Sequence, residues 1–221
     1  MRSRTYETLA SANFANLANS EVYNNILAGC RIGIRDYSES PIAQANHGLK
    51  NTRIVNNTII MPFVSYAPYE ALGIYLLDNT SPSGTNRNIN TVIQNNVIYG
   101  FNSDSVIASE IAGPLVGINL NYNTYFSTAA NPFRRGFNTV VYSNLAGWKT
   151  AITGSDINSQ FLDPQLVDVT QFRVTGVGTY DPYNANLRVG SPAIGSGTPQ
   201  TFTPALNYSL TTRLGWNTGA F

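Results

Sequence analysis

Three carboxylates, Asp36, Asp78 and Glu110, close three short apolar runs, CRIGIRD (Cys30 to Asp36), LGIYLLD (Leu72 to Asp78) and DSVIASE (Asp104 to Glu110), that align position by position. Carboxylates on neighbouring strands, which lie about 4.8 Å apart in a sheet, would be close enough to share a proton, bind a cation or flank a glycosidic bond. Hydrolysis of such a bond needs two carboxyls with one pKa raised, at separations of roughly 5 Å for retention or roughly 6.5 to 9.5 Å for inversion, and a stack of strands reaches both. Arg31, Arg35, Tyr75, His47 and Lys50 fall near these carboxylates and are candidates to hold a substrate. An elimination reaction would instead take His47, the only histidine, or Lys50 as base and Arg35 or Arg53 to neutralise a carboxylate. Tyr66, Tyr69 and Tyr75 could present aromatic faces for ring stacking. Against these stand structural roles: strand-end carboxylates that bond the loops, a surface histidine, and tyrosines that pack the loop VSYAPYEA onto the strands.

Metal and nucleotide chemistry has little behind it. HExxH, paired CxxC, GxSxG, Walker A and a dinucleotide-binding fingerprint are absent. Calcium would rest on Asp36, Asp78 and loop carbonyls, with no D-x-D-x-D-G spacing to support it, so the expectation is no cofactor and no metal.

The elements that position these residues show in the asparagines. Doublets sit inside β-rich runs at EVYNNIL (Asn24, Asn25), RIVNNTII (Asn56, Asn57) and VIQNNVIY (Asn95, Asn96), with a degenerate copy at INLNYNTYF (Asn121, Asn123). Apolar residues flank each doublet, as if two strands met at a corner, and Asn tolerates the left-handed backbone of a corner better than any residue except Gly. Successive copies are 32, 39 and 26 positions apart. Irregular spacing with a constant strand unit means that the insertions sit in loops outside a repeating stack.

With the aligned runs between the doublets, one repeat reads as three strands, RIGIRD, NTRIVN and TIIMPF. This predicts an all-β chain, a right-handed parallel β-helix forming a single-stranded solenoid of three to four turns, with a short helix and an irregular C-terminal cap. Alternation places Ile32, Ile34, Ile74, Leu76, Val106 and Ala108 inward and Arg31, Gly33, Arg35, Gly73, Tyr75, Leu77, Ser105, Ile107 and Ser109 outward. A β-sandwich would also alternate, but hairpin turns do not explain a recurring strand-Asn-Asn-strand unit. Residues 1–19 read as an N-terminal cap helix or degenerate turn, 20–128 as the β-helix, and 129–221 as a C-terminal cap module. Within the last, Ser143 as N-cap before NLAGWKTAI and Gly154 beyond it predict a short helix anchored by Trp148.

Composition bounds the partners. Charged residues are 11% of the 221, the net charge is +1 and the lysines are only Lys50 and Lys149, which leaves no basic footprint for nucleic acid. No apolar run approaches the roughly 18 to 20 residues that cross a bilayer. Residues 1–25 lack the apolar centre of an export signal, so a secreted protein would carry its signal elsewhere. Cys30 has no internal partner and is expected to be a small buried hydrophobe.

The strings WKTAITGSDINS, LDPQLVD and LRVGSPAIGSG and the final GAF resemble the C-terminal module of bacterial right-handed β-helix proteins of the pectate-lyase-like superfamily. The resemblance covers residues 119–221, and the Asn doublets from about 20 more loosely. Two carboxylates common in that module are missing: Thr218 precedes the final Gly-Ala, and SPAI is followed by Gly195. The resemblance implies a secreted or cell-surface, carbohydrate-active protein, a polysaccharide lyase or glycoside hydrolase, with an extended polysaccharide along the outer strands. It would carry Asp36, Asp78 and Glu110 as catalytic candidates and Arg31, Arg35, Tyr75, His47 and Lys50 as binding candidates. The alternatives are a non-catalytic β-helix for binding, adhesion or assembly, and a fragment that self-associates or takes an upstream partner through an open N-terminal turn.

Overall fold

The chain is seen in a computed structural model that describes residues 19–38, 49–61, 71–78, 88–101, 105–109, 115, 117–135, 140–170 and 182–200, with the backbone alone at 36–38, 77–78 and 182–183. Strands come in triplets: β1 (Glu21–Tyr23), β2 (Ile26–Ala28), β3 (Ile32–Ser38); β4 (Arg53–Val55), β5 (Thr58–Ile60), β6 (Leu72–Asp78); β7 (Thr91–Gln94), β8 (Val97–Tyr99), β9 (Ser105–Ser109); β10 (Ile118–Asn121), β11 (Thr124–Phe126), β12 (Phe133–Arg135). Each triplet sends one strand to each of three sheets, ordered β1-β4-β7-β10, β2-β5-β8-β11 and β3-β6-β9-β12. Pairing within these rows is parallel. The third sheet gains an antiparallel edge strand, β13 (Val140–Tyr142), and the second gains β14 (Gln160–Phe161). Among the described residues the chain is thus mostly β, in parallel sheets with one α-helix, α1 (Leu145–Ala151). The strict rotation is compatible with a β-helix, and parallel pairing is at odds with a sandwich of hairpins. The expected N-terminal cap lies outside the described residues save for Asn19.

Each sheet contributes a stacked row to one core. Val22, Ile54, Ile93 and Leu120 pair across the first sheet, Leu27, Ile59, Ile98, Tyr125 and Phe161 across the second, and Ile34, Ile74, Ile107 and Phe133 across the third. All belong to one apolar cluster, in which Ile59, Ile74, Ile93, Ile98 and Ile107 are fully buried. At roughly 25 cal/mol per Å² of apolar surface, these rows are the dominant favourable contribution to the stack.

The third sheet departs from the sequence alignment. Asp36 pairs with Leu76 and Ser38 with Asp78, two residues away from the register in which the carboxylates stand level. Leu72 pairs with Ser105, one residue away from its expected partner Asp104. Ile34, Ile74 and Leu76 face the main core as expected, and so does Val106, but so does its neighbour Ile107, which was expected outside. Ile32 and Ala108, expected inside, join a separate cluster with Leu72 and Tyr75. The alternation breaks because Gly33 and Gly73 lie against Ile59 and Ile98 of the second sheet. A β-carbon at Gly73 would run into the Ile98 side chain and the Val106 carbonyl oxygen. Gly73→Ala is therefore expected to lower stability by about 2 kcal/mol, read as a drop in the urea midpoint. An unchanged midpoint would mean that β6 shifts freely and that the glycine does not set the register.

The corners bear out the reading of the asparagines and extend it. Asn24, Asn56 and Asn95 have φ of 55°, 55° and 58°, and the fourth copy puts Tyr122, at 55°, where an Asn was expected. The second residue of each doublet does different work. Backbone N–H and Nδ2 of Asn25 donate to Asn57 Oδ1, those of Asn57 to Asn96 Oδ1, and those of Asn96 to Asn123 Oδ1, all at 3.0 to 3.1 Å. The remaining amide proton reaches a carbonyl in the preceding triplet, Val22 for Asn57, Ile54 for Asn96 and Ile93 for Asn123. The result is a buried ladder whose members are 32, 39 and 27 residues apart.

Beyond β12 the chain packs back on the sheets. Asn144, one residue later than expected, is the N-cap of α1 and accepts from the Gly147 N–H at 2.8 Å. Trp148 is fully buried and stacks on Phe133 at 5.9 Å, the anchor role expected of it. In the SPAI segment, Ser191 donates to the Pro164 carbonyl and accepts from the Ala193 N–H. Asn95 then exchanges two hydrogen bonds with the Thr198 backbone, tying the segment back to the first sheet. Cys30, expected to be buried, is exposed, because it sits at the corner just before β3 rather than in a strand.

Candidate functional site

The candidates from the sequence that the structure brings together lie on the third sheet. Arg35 of β3 pairs with Tyr75 of β6, Tyr75 with Ala108 of β9, and Ala108 with Arg134 of β12, so that these four residues form one row across four strands. The Arg35 guanidinium carbon lies 5.5 Å from the Tyr75 ring centroid, within cation–π range. Ile32 and Leu72, paired in a neighbouring row, complete an apolar patch with Tyr75 and Ala108. Arg31, exposed, stands just ahead of β3. The face therefore combines an aromatic and aliphatic floor with arginines along its border. Tyr75 is 9% exposed, Arg134 6%, Leu72 4% and Ala108 1%, while Arg35 is partly open, so the accessible part of the row is Arg35 and the edge of Tyr75. Burial pulls the Arg134 guanidinium below its ordinary value, but an arginine remains charged there.

The other candidates do not join this row. Lys50 bridges Ile89 at the corner that opens the first sheet, where its carbonyl accepts from the Asn19 N–H. Arg53, in β4 of the first sheet, reaches Gln200. Asp36 and Asp78 lie in β3 and β6 but out of register with each other. Glu110, His47, Tyr66 and Tyr69 lie outside the described residues. Among the described residues no group of three or more His, Cys, Asp or Glu could hold a metal ion, and no helix is long and apolar enough to cross a membrane.

Sequence reasoning missed two features. Arg134 could have been found only with the register of β9 and β12, since PFRR carries no motif of its own. The second is a buried acid. Asp156, fully buried, accepts from Trp148 Nε1 at 2.8 Å, from Tyr125 Oη at 3.0 and 3.1 Å, and from Ser159 Oγ at 2.5 Å. Ser159 Oγ in turn accepts from the Asn123 N–H, so the asparagine ladder runs into this carboxylate. Burial pushes the Asp156 carboxyl above the ordinary range, more than the bonds from Ser159, Trp148 and Tyr125 pull it down. Burial and the neighbouring carboxylate together push the Tyr125 phenol well up. Closed off from solvent, Asp156 can tie α1 to β10 and β11 but cannot meet a substrate. Its local signal was the Ser-Asp-Ile-Asn-Ser string beside Trp148. No known protein family, curated protein or solved structure matches the chain.

Proposed function

We propose that the chain is a right-handed parallel β-helix of the pectate-lyase-like kind and that it binds an extended acidic polysaccharide on the outer face of its third sheet. The observation that carries this reading is the Arg35–Tyr75–Ala108–Arg134 row, with the exposed Arg31 just ahead of β3 in the same strand run. The partly open Arg35 and the exposed Arg31 suit carboxylates, which guanidiniums hold by paired hydrogen bonds, and the edge of the Tyr75 ring beside Arg35 gives a sugar an apolar contact. The rotation of strands among three sheets and the asparagine ladder support the β-helix, and a polysaccharide partner makes a secreted or cell-surface protein the natural setting. Asp36 and Asp78, in strands β3 and β6 of this sheet, are the candidates for hydrolysis or elimination.

Binding to polygalacturonate and to a neutral galactan tests it. Polygalacturonate is expected to bind, and Arg31→Ala with Arg35→Ala to weaken binding about tenfold, the loss of two partly exposed charged contacts. Silence across acidic and neutral polymers, or equal binding by the double variant, rejects the reading. Reducing-end release and ultraviolet absorbance of unsaturated uronates show whether bound polymer is turned over. Turnover abolished by Asp36→Asn and Asp78→Asn would assign catalysis to those carboxylates, and binding without turnover would assign a binding module.

A further inference from the structure

We infer that the edge of the sheets formed by β1 and β2 is a docking surface for a second, different polypeptide, which adds a strand–Asn–strand unit there in parallel. Each sheet ends on a strand of the first triplet, and among the described residues no strand pairs with the far edge of β1, β2 or β3. Alternate residues of a parallel strand bond to opposite neighbours. In β2 the Asn25 carbonyl and the Gly29 N–H bond to β5, so Ile26 and Ala28 turn their backbone groups to the far edge. Val22, Ile26, Leu27 and Ala28 are partly exposed, whereas Ile54, Ile59 and Ile60, which pair with Val22, Leu27 and Ala28, are buried. The same apolar row that is closed one triplet later is therefore still open to a neighbour here.

The asparagine ladder sets the chemistry of the partner. In each later rung Oδ1 accepts from the N–H and Nδ2 of the rung before, Asn57 from Asn25, Asn96 from Asn57 and Asn123 from Asn96. Asn25 donates to Asn57 and to the Tyr23 carbonyl, and among the described residues no donor reaches its own Oδ1. An asparagine at a strand corner, presenting N–H and Nδ2 together, fills that place. Strand addition at an edge draws affinity from backbone bonds and selectivity from such side-chain positions. The opposite ends of the sheets are finished differently. The Asn123 N–H donates to Ser159 Oγ and its Nδ2 to the Ile93 carbonyl, while β14 pairs on β11 and β13 on β12. A second copy therefore cannot dock head to tail, and a two-fold contact would pair strands antiparallel, out of keeping with a ladder whose rungs run one way. Asn13 and Asn16 stand 12 and 9 positions before Asn25, against 32, 39 and 27 between rungs, so neither repeats the rung spacing.

A labelled peptide with the sequence of residues 51–61, NTRIVNNTIIM, carries the β4–corner–β5 unit and tests the surface on the full chain. Fluorescence polarisation is expected to show saturable binding. The peptide with Asn57→Ala, which lacks the Nδ2 donor, is expected to bind about tenfold more weakly, and because the substitution is in the peptide the fold of the chain is untouched. Hydrogen exchange at the Ile26 and Ala28 amides is expected to slow about tenfold in the complex. Polygalacturonate binding should be unchanged by the peptide, so this surface and the third-sheet reading stand or fall separately. Absence of binding, equal binding by the two peptides, or slowed exchange confined to other strands overturns the proposal. A dimer of the chain that the peptide dissociates would place a second copy on this edge and overturns it as well.

Discussion

Asn96→Ala is expected to lower the stability of the chain by about 4 kcal/mol, while Asn56→Gly stays within about 1 kcal/mol of the parent, although both are fully buried asparagines of successive doublets. Asn96 donates to Asn123 Oδ1 and the Ile54 carbonyl and accepts from the N–H and Nδ2 of Asn57. Removing it strands two donors and a carbonyl in an apolar interior, each worth about 1 to 3 kcal/mol when left unmade. Asn56 holds a left-handed corner that glycine adopts freely, and among the described residues its buried side-chain amide has no hydrogen-bond partner, so its loss sacrifices no bond there. Urea unfolding of the two variants, with matched slopes, checks the contrast. Equal effects would mean that the doublet works through backbone conformation alone.

That division of labour explains what could be read in the sequence. The doublets were legible because a left-handed corner next to a buried amide restricts both residues to a narrow set. A second row of corners was not. Asn19, Asn51, Asn90 and Gly117 all have positive φ, but each stands alone, and single asparagines or glycines also occur in ordinary loops. The fourth doublet was misplaced by one residue because Tyr122 takes the left-handed position, leaving Asn123 to continue the ladder.

The third sheet was the hardest part. Its alternation fails at Gly73 and Ile74, where the core is shaped by Ile98 of another sheet, and no local pattern reports that contact. The consequence falls on the site: a two-residue change of register separates Asp36 from Asp78, whereas Arg35 and Tyr75, on the near side of the strand ends, come together. Arg134 depends on the pairing of β9 with β12, segments distant in sequence, and carried no spacing signal.

Asp156→Ala is expected to have the largest effect, about 5 kcal/mol, because the carboxylate gathers three buried donors, Tyr125 Oη, Trp148 Nε1 and Ser159 Oγ, and its removal also opens a cavity beneath α1. Asp156→Asn keeps the volume but turns one acceptor into a donor facing donors, and about 2 kcal/mol is expected for it. The pair also isolates a titration. The folded-state pKa of Asp156 lies above its unfolded value, which is near 3.9 for an aspartate. The folded chain therefore binds the extra proton, and the stability this contributes is complete below the unfolded pKa and is lost as pH rises through the folded one. Measured against Asp156→Asn, which cannot titrate there, the parent's advantage should be greatest in acid and shrink as pH rises from about 4 through the raised folded value. An advantage that instead grows with pH would mean that the donors from Ser159, Trp148 and Tyr125 outweigh burial and hold the acid ionised.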